Sequence, residues 1–109
     1  MEITFISRKM DKLCNSDKEM RAKLGGRSAK ILQLRLTQMK AADTLEDLRK
    51  VPGARCHELT GDRNGQLAVD LVQPYRLIFQ PDPWPTKPDG GLDWQQVTQV
   101  IVVEIADYH

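Results

Sequence analysis

The chain has 109 residues with a formal net charge of +1, and its apolar and charged contents are ordinary for a globular protein. This length predicts one domain, residues 1–109, built around a single hydrophobic core. No apolar run approaches the roughly 18 residues that span a membrane, and no signal peptide precedes the first strand, so the sequence excludes a membrane-spanning protein and favours a cytoplasmic one.

The N-terminal part predicts one strand followed by helices. Residues 2–6 (EITFI) are β-branched and aromatic, which is typical of a short strand. Met10, Leu13 and Cys14 then recur at helical spacing. The polar residues 15–17 can break or restart this helix, and the two glycines at 25–26 are expected to end it.

The strongest predicted helix covers residues 27–42. Leu32, Leu36 and Met39 form its apolar stripe, and the basic residues Arg27, Lys30 and Arg35 are expected to flank that stripe. Residues 18–40 carry seven basic residues and one acidic residue. Such a cluster either attracts phosphate groups or is the solvated face of a helical hairpin, and both readings stay open. Thr44 is a predicted N-cap for a short helix that ends before Pro52.

The second half predicts β-structure. Residues 54–59 and 66–71 read as a hairpin around the turn TGDRNG, and residues 75–79 (YRLIF) follow as the next strand. Strict alternation places Arg76 on one face of that strand and Tyr75 on the other. The fold class is therefore predicted as α+β: an N-terminal strand, a helical hairpin, and an antiparallel sheet of about four more strands.

The last strand is predicted over residues 97–109. It is apolar on both faces, as expected for a strand inside a covered sheet. Alternation places Ile101, Val103, Ile105, Asp107 and His109 on one face, with Tyr108 on the other. The connection over residues 80–94, rich in proline and tryptophan, is longer than most loops in compact domains.

Several polar side chains can converge on one surface of this sheet: His57, Asp62, Arg63, Arg76, Asp107, Tyr108 and His109. Cleavage of RNA without a metal needs a base, an acid and a cation that stabilises the phosphoryl oxygens. Imidazole suits either proton-transfer role, and arginine makes bidentate contacts with phosphate. A structural alternative for Arg76 is an ion pair with Asp70 or Glu104 on a neighbouring strand.

Metal and thiol chemistry receive little support from the sequence. His57 and His109 are 52 positions apart and make a poor ligand set, so no metal and no other cofactor is predicted. Cys14 and Cys56 lack metal-ligand spacing, and two reduced thiols are favoured over a disulfide.

Three motifs together resemble the RelE/ParE superfamily of type II toxins, within its HigB or "killer protein" branch. HELTGDRNGQ (57–66) is similar to that family's His-x-Leu-x-Gly-Asp-Arg-x-Gly-Gln stretch, YRLIF to its arginine-bearing strand, and DYH to its C-terminus. The chain departs from the family at Thr60, where lysine is frequent, and in the long 80–94 connection.

The resemblance implies an endoribonuclease that cleaves mRNA on the ribosome without a metal and so inhibits translation. It implies catalytic roles for His57, Arg76, Asp107, Tyr108 and His109, with one histidine as base and the other as acid. Arg63, Arg27 and Lys30 are the expected phosphate or RNA contacts. The implied partners are a helix-turn-helix antitoxin of the HigA type, the ribosome with its mRNA, and operator DNA reached only through the antitoxin.

Two other functions remain as alternatives. The chain can be a toxin of the ParE type that binds gyrase without cutting nucleic acid. It can also be a decayed toxin that acts only as a co-regulator with its antitoxin. Two imidazoles in one centre favour the nuclease, because a protein that only binds has no need of them.

Overall fold

The computed structural model describes residues 1–107, and the α+β fold predicted from the sequence is confirmed. The strands are β1 Glu2–Phe5, β2 His57–Glu58, β3 Leu67–Asp70, β4 Tyr75–Pro81 and β5 Gln99–Asp107. The helices are α1 Arg8–Cys14, α2 Asp17–Leu24, α3 Gly26–Ala41 and α4 Leu45–Arg49, with short 3-10 turns at Gly61–Arg63 and Trp94–Gln96. The predicted catalytic residues Tyr108 and His109 lie outside the described residues.

Serine caps explain why the first predicted helix is two helices. The hydroxyl of Ser7 accepts a hydrogen bond from the Met10 amide at 3.1 Å, and that of Ser16 accepts one from the Glu19 amide at 3.2 Å. Each serine thus satisfies an amide at a helix start that has no partner within the helix. Gly25 ends α2 with a φ of 85°, a conformation that glycine adopts without steric cost, and α3 begins at the next residue.

Helix α3 buries its predicted apolar stripe, Leu32, Leu36 and Met39. Arg35, predicted to flank this stripe together with Arg27 and Lys30, is itself buried and only 8% exposed. Its Nε donates to the carbonyl oxygen of Asp70 at 2.7 Å, and its Nη2 donates to that of Gly53 at 2.8 Å. The guanidinium therefore satisfies the carbonyl of Asp70 inside the protein and that of Gly53 nearer the surface, and it ties α3 to the β-half.

The sheet has the strand order β1-β5-β4-β3-β2. The four later strands pair antiparallel as predicted, whereas β1 joins the edge parallel to β5, from Glu2 opposite Gln99 to Phe5 opposite Val102. The sheet is therefore mixed. Strand β5 lies between two neighbours, with Val100 and Val102 in the main core on one face and Val103 packed on a small apolar cluster on the other.

The predicted alternation along β5 is wrong beyond Val102, because the register shifts there. Phe79 pairs with Val102, but the preceding residue Ile78 pairs with Glu104, so Val103 is an extra residue in β5. A bulge of this kind reverses which face the following side chains occupy. Ile105 and Asp107 consequently lie on the face opposite to that of Ile101 and Val103.

The two faces of the sheet carry cores of very different size. The face toward the helices holds the main core, in which Leu67, Val69, Leu77, Phe79, Val100 and Val102 pack against α3 and α4. The opposite face, called here the far face, holds a small cluster of Ala68, Ile78 and Ala106, covered by Leu59 and Val103. Leu59, which follows β2, packs on this cluster from outside the sheet, whereas Val103 belongs to β5 itself.

The long connection after β4 is anchored on the helical side. Strand β4 extends to Pro81, and the connection contains a bridge between Thr86 and Leu92. Trp94 is buried, and the guanidinium of Arg49 lies 3.8 Å from the centre of its ring. Trp94 thus anchors the loop by burial and a cation–π contact.

Replacing Arg35 by Met is expected to lower the free energy of unfolding by roughly 2–4 kcal/mol, because the buried contact with the Asp70 carbonyl and the partly buried contact with the Gly53 carbonyl lose their charged donor. Urea denaturation followed by circular dichroism measures the change. Arg27→Met, on an exposed position of the same helix, is the matched control and is expected to stay within about 0.5 kcal/mol of wild type. Equal effects of the two substitutions would contradict the structural role of Arg35.

Candidate active site

His57 opens β2 on the far face, opposite Ala68 of β3. Its Nδ1 lies 2.7 Å from the carbonyl oxygen of Arg55. Because a carbonyl oxygen only accepts hydrogen bonds, Nδ1 carries the hydrogen in this contact. Arg55 has a φ of 50°, the left-handed region that is costly for a residue with a side chain. The contact between Nδ1 and the Arg55 carbonyl leaves Nε2 as the ring nitrogen that can accept a proton, as a general base must.

Arg76 lies on the far face of β4, opposite Asp70 of β3 and Ala106 of β5. Its Nε is 3.5 Å from Oδ1 of Asp70, and Nε of Arg55 is 3.5 Å from Oδ2 of the same carboxylate. The predicted alternative, an ion pair of Arg76 with Asp70, is thus present. Oδ1 of Asp70 is buried and accepts no hydrogen bond among the described residues. The ion pairs with Arg55 and Arg76 therefore offset the free-energy cost of burying this carboxylate.

The sheet register brings His57 and Arg76 to the same face. Ala68, the partner of His57, and Asp70, the partner of Arg76, are two residues apart on β3 and share a face. With about 4.8 Å between strands and about 3.4 Å per residue, the Cα atoms of His57 and Arg76 are roughly 12 Å apart. Side chains of this length can approach one nucleotide from two sides.

Asp107 does not join these two residues on the far face. It pairs with Tyr75, whose side chain packs against the main core, so Asp107 stands on the helical face at the end of β5. The bulge at Val103 is the physical reason. With the same spacings between strands and between residues, the Cα atom of Asp107 is roughly 18 Å from that of His57.

Arg63, in the turn after β2, reaches Glu104 of β5 on the far face. Its Nη2 makes a short ion pair with Oε1 of Glu104, and its Nη1 donates to Oε1 of Gln66 at 3.1 Å. The turn around it lines a groove of about 430 Å³ with Leu59, Thr60 and Asp62. Arg63 therefore borders the far face, but a carboxylate already compensates its charge.

Arg27 and Lys30 belong to the other side of the molecule. Both are exposed on the N-terminal half of α3, and that helix packs on the face of the sheet opposite to His57 and Arg76. The predicted RNA contacts thus divide into two separate surfaces. One surface is the far face of the sheet, and the other is the basic surface of the helices.

A family model, described as a RelE-like toxin of the type II toxin–antitoxin system HigB, matches residues 4–84. The chain belongs to this HigB-like toxin family. It is therefore the toxin of a toxin–antitoxin system, and a type II system implies a protein antitoxin as its partner. No curated protein proved similar enough to count as a match. Within residues 1–107, none of the helices of this HigB-like toxin combines the length and apolarity needed to cross a membrane.

The family match covers only part of the predicted site. His57, Arg63 and Arg76 fall within residues 4–84, whereas Asp107 and the two residues after it fall beyond. Arg55, which the sequence does not predict as part of the toxin's site, contacts both His57 and Asp70. Its sequence neighbourhood gives one signal, since a glycine and a proline just before it mark a turn next to His57.

The two cysteines of the toxin are free thiols, as predicted. Burial, reinforced by the nearby carboxylate of Asp11, raises the pKa of Cys14 to about 11. Burial also raises the pKa of Cys56 to about 12, against a smaller lowering effect of Arg49. Neither thiol is ionised near neutral pH, so neither has the character of a nucleophile. Residues 1–107 contain no cluster of three potential metal ligands.

Asp70 is expected to couple more strongly to Arg76 than to Arg55. The two Nε–oxygen distances are equal, but the side chain of Arg76 is 30% exposed and that of Arg55 is 73% exposed, so water screens the second pair more. Double-mutant cycles with alanine, read by urea denaturation, should give roughly 1–2 kcal/mol for Asp70–Arg76 and below about 0.5 kcal/mol for Asp70–Arg55. A reversed order would contradict this description of the cluster.

Stability is expected to fall as the pH rises from about 9 toward 11. Unfolded thiols ionise near pH 8.5, whereas the folded protein keeps both protons until about pH 11 or above, so rising pH favours the unfolded state. Urea denaturation across this range measures the effect, and a Cys14→Ala/Cys56→Ala variant, in which only lysine and tyrosine titrate, is the control. Rapid alkylation of both native thiols at pH 8 would count against buried, protonated cysteines.

Proposed function

We propose that this HigB-like toxin is an endoribonuclease that cleaves mRNA on the ribosome without a metal and thereby stops translation. The observation that carries the proposal is the placement of His57 and Arg76 on one solvent-accessible face of the sheet, with Nδ1 of His57 engaged by the Arg55 carbonyl. That contact orients the ring with Nε2 as its proton acceptor. A base and a cation for phosphate are two of the three groups that the reaction needs.

In the proposed reaction, Nε2 of His57 takes the proton of a ribose 2′-hydroxyl. The 2′-oxygen bonds to the adjacent phosphorus, and the bond between phosphorus and the 5′-oxygen breaks. An acid returns a proton to the leaving 5′-oxygen, so the products are a 2′,3′-cyclic phosphate and a free 5′-hydroxyl. His109 is the candidate acid, Tyr108 the candidate for orienting the nucleotide, and Asp107 a residue that orients its neighbours.

The charges around Arg76 support a phosphate site. Arg55 and Arg76 both pair with the carboxylate of Asp70, so two guanidinium groups lie beside one another at the far face. The ion pair with Asp70 also holds the side chain of Arg76 in place before substrate arrives. A preorganised cation stabilises the phosphoryl oxygens of the transition state without a reorganisation cost at the moment of reaction.

The basic surface of the helices is the proposed contact with ribosomal RNA. Arg27 and Lys30 are exposed there, together with the neighbouring basic residues Lys18, Arg21 and Lys23. Such a surface binds phosphates without reading sequence, and salt weakens it. We further propose that the single-domain toxin acts in the cytoplasm and that its antitoxin is a helix-turn-helix protein of the HigA type. Only the antitoxin would contact operator DNA.

One observation favours a second function, a toxin of the ParE type that acts by binding gyrase. The charge of Arg63 is compensated by Glu104, so this cation beside the far face is engaged within the protein rather than held for a phosphate. A binding surface needs no proton acceptor, so this alternative predicts that His57 is dispensable. The third function, a decayed toxin that only assists its antitoxin, predicts no toxicity at all.

The test is induction of the toxin alone, with growth and mRNA 5′-ends followed in the same cultures. His57→Ala and His109→Ala are expected to lower the rate of cleavage by roughly 10²–10⁴-fold, because each removes a proton-transfer group. Arg76→Lys keeps the charge but loses the planar fork, so a partial loss is expected. Glu58→Ala, next to His57 on the same short strand, is the matched control and should remain toxic.

The outcomes separate the three functions. Ribosome-dependent cuts that disappear in the histidine variants would support the nuclease. Growth arrest with DNA damage and no cuts, unchanged in those variants, would support binding to gyrase. Induction without any growth defect would leave the role of co-regulator.

A further inference from the structure

Strand β5 continues well past the end of its parallel neighbour β1. The pairing of β1 ends at Phe5 opposite Val102, and a last hydrogen bond joins the amide of Ile6 to the carbonyl of Val102 at 2.9 Å. The chain then turns away into α1, whose N-cap is Ser7. Over residues 103–106, β5 is paired with β4 on one side, and no strand of the described chain pairs with its other side.

A groove runs between this open edge and the first two helices. It has a volume of about 190 Å³ and an apolar floor formed by Met10, Leu13 and Ile105. Ile6 stands nearby at the end of β1 and is 56% exposed, the most exposed large apolar residue in the described part of the chain. Open sheet edges beside apolar side chains are sites where another chain can add a strand.

The charges of the groove select the chemistry of a strand that binds there. Lys9 and Lys23 line the groove and are both exposed. The one acidic residue lining it, Glu104, is ion-paired with Arg63 on the far face. The groove therefore presents two cations whose charge its own carboxylate does not neutralise, and it favours a segment that carries acidic side chains.

We propose that an extended segment of the protein antitoxin adds as a strand to the edge of β5 at residues 103–106. Its backbone would hydrogen-bond to the open edge, one apolar side chain would enter the groove over Leu13 and Ile105, and acidic side chains would pair with Lys9 and Lys23. In strand addition, main-chain hydrogen bonds supply affinity and the pockets for side chains supply specificity. The inference rests on the antitoxin that the family implies and does not depend on RNA cleavage.

The first experiment compares amide hydrogen exchange of the toxin alone with that of its complex with the antitoxin, co-expressed from the same operon. Strand addition is expected to protect amides within residues 103–106 by at least tenfold in the complex. A partner that contacts only side chains would leave these amides exchanging as in the free toxin, and that result would overturn the proposal. Protection of the same amides in a dimer of the toxin alone would assign the edge to a second copy and overturn it as well.

The second experiment measures antitoxin affinity after charge reversal at single lysines. Lys9→Glu and Lys23→Glu are each expected to weaken binding by about three- to tenfold, with a smaller salt dependence than wild type. Lys30→Glu on α3 and Lys50→Glu after α4 are matched exposed controls on other surfaces. Equal weakening by all four substitutions would mean general electrostatic attraction and would contradict a site in this groove.

Discussion

Asp70 is the residue on which the arrangement of this toxin depends most. Its amide donates to the carbonyl of Ala54, its carbonyl accepts from the buried guanidinium of Arg35, and its carboxylate lies between Arg55 and Arg76. One residue of β3 thus connects the helical layer, the turn before β2 and the far face of the sheet. Because it is 8% exposed, most of these contacts are shielded from water.

In this arrangement, one face of the sheet stabilises the fold and the other carries the candidate ligand-binding residues. On the helical side, Arg35 uses its charge to satisfy carbonyls, and the large apolar core lies around it. On the far face, the apolar cluster is small, and Leu59 from the segment after β2 packs on it. A surface of that kind tolerates polar side chains at little cost in stability, which is where His57 and Arg76 are found.

Much of the fold could be predicted from the sequence because the spacing of apolar residues indicates which side chains of a helix or strand are buried. Leu32, Leu36 and Met39 repeat at helical spacing and are buried, and the alternation in YRLIF places Arg76 on its observed face. Two features could not be predicted in this way. Arg35 looks like any surface arginine until its carbonyl partners, 18 and 35 residues away, are known. The bulge at Val103 has no glycine or proline to mark it, because it lies within an apolar run.

The candidate site was predictable to the same extent. The position of His57 near a turn and of Arg76 on a strand could be derived from local patterns, and the register brings both to one face. The ion pair of Arg63 with Glu104 joins residues 41 positions apart, so no local pattern could reveal it. The catalytic roles of these residues, and those of Asp107, Tyr108 and His109, stay predictions.

The extra residue in β5, Val103, decides which face of the sheet the following side chains occupy. In a regular strand, two side chains share a face when an odd number of residues lies between them. Three residues lie between Ile101 and Ile105, but one of them, Val103, is the extra residue of the bulge, so the two side chains lie on opposite faces. An insertion or deletion of one residue upstream of Ile105 would exchange the faces of everything after it while leaving the sequence motif intact. The face that a side chain of β5 occupies beyond the bulge therefore depends on chain length as well as on residue type. Alignment of this segment has to count residues from the bulge rather than match letters.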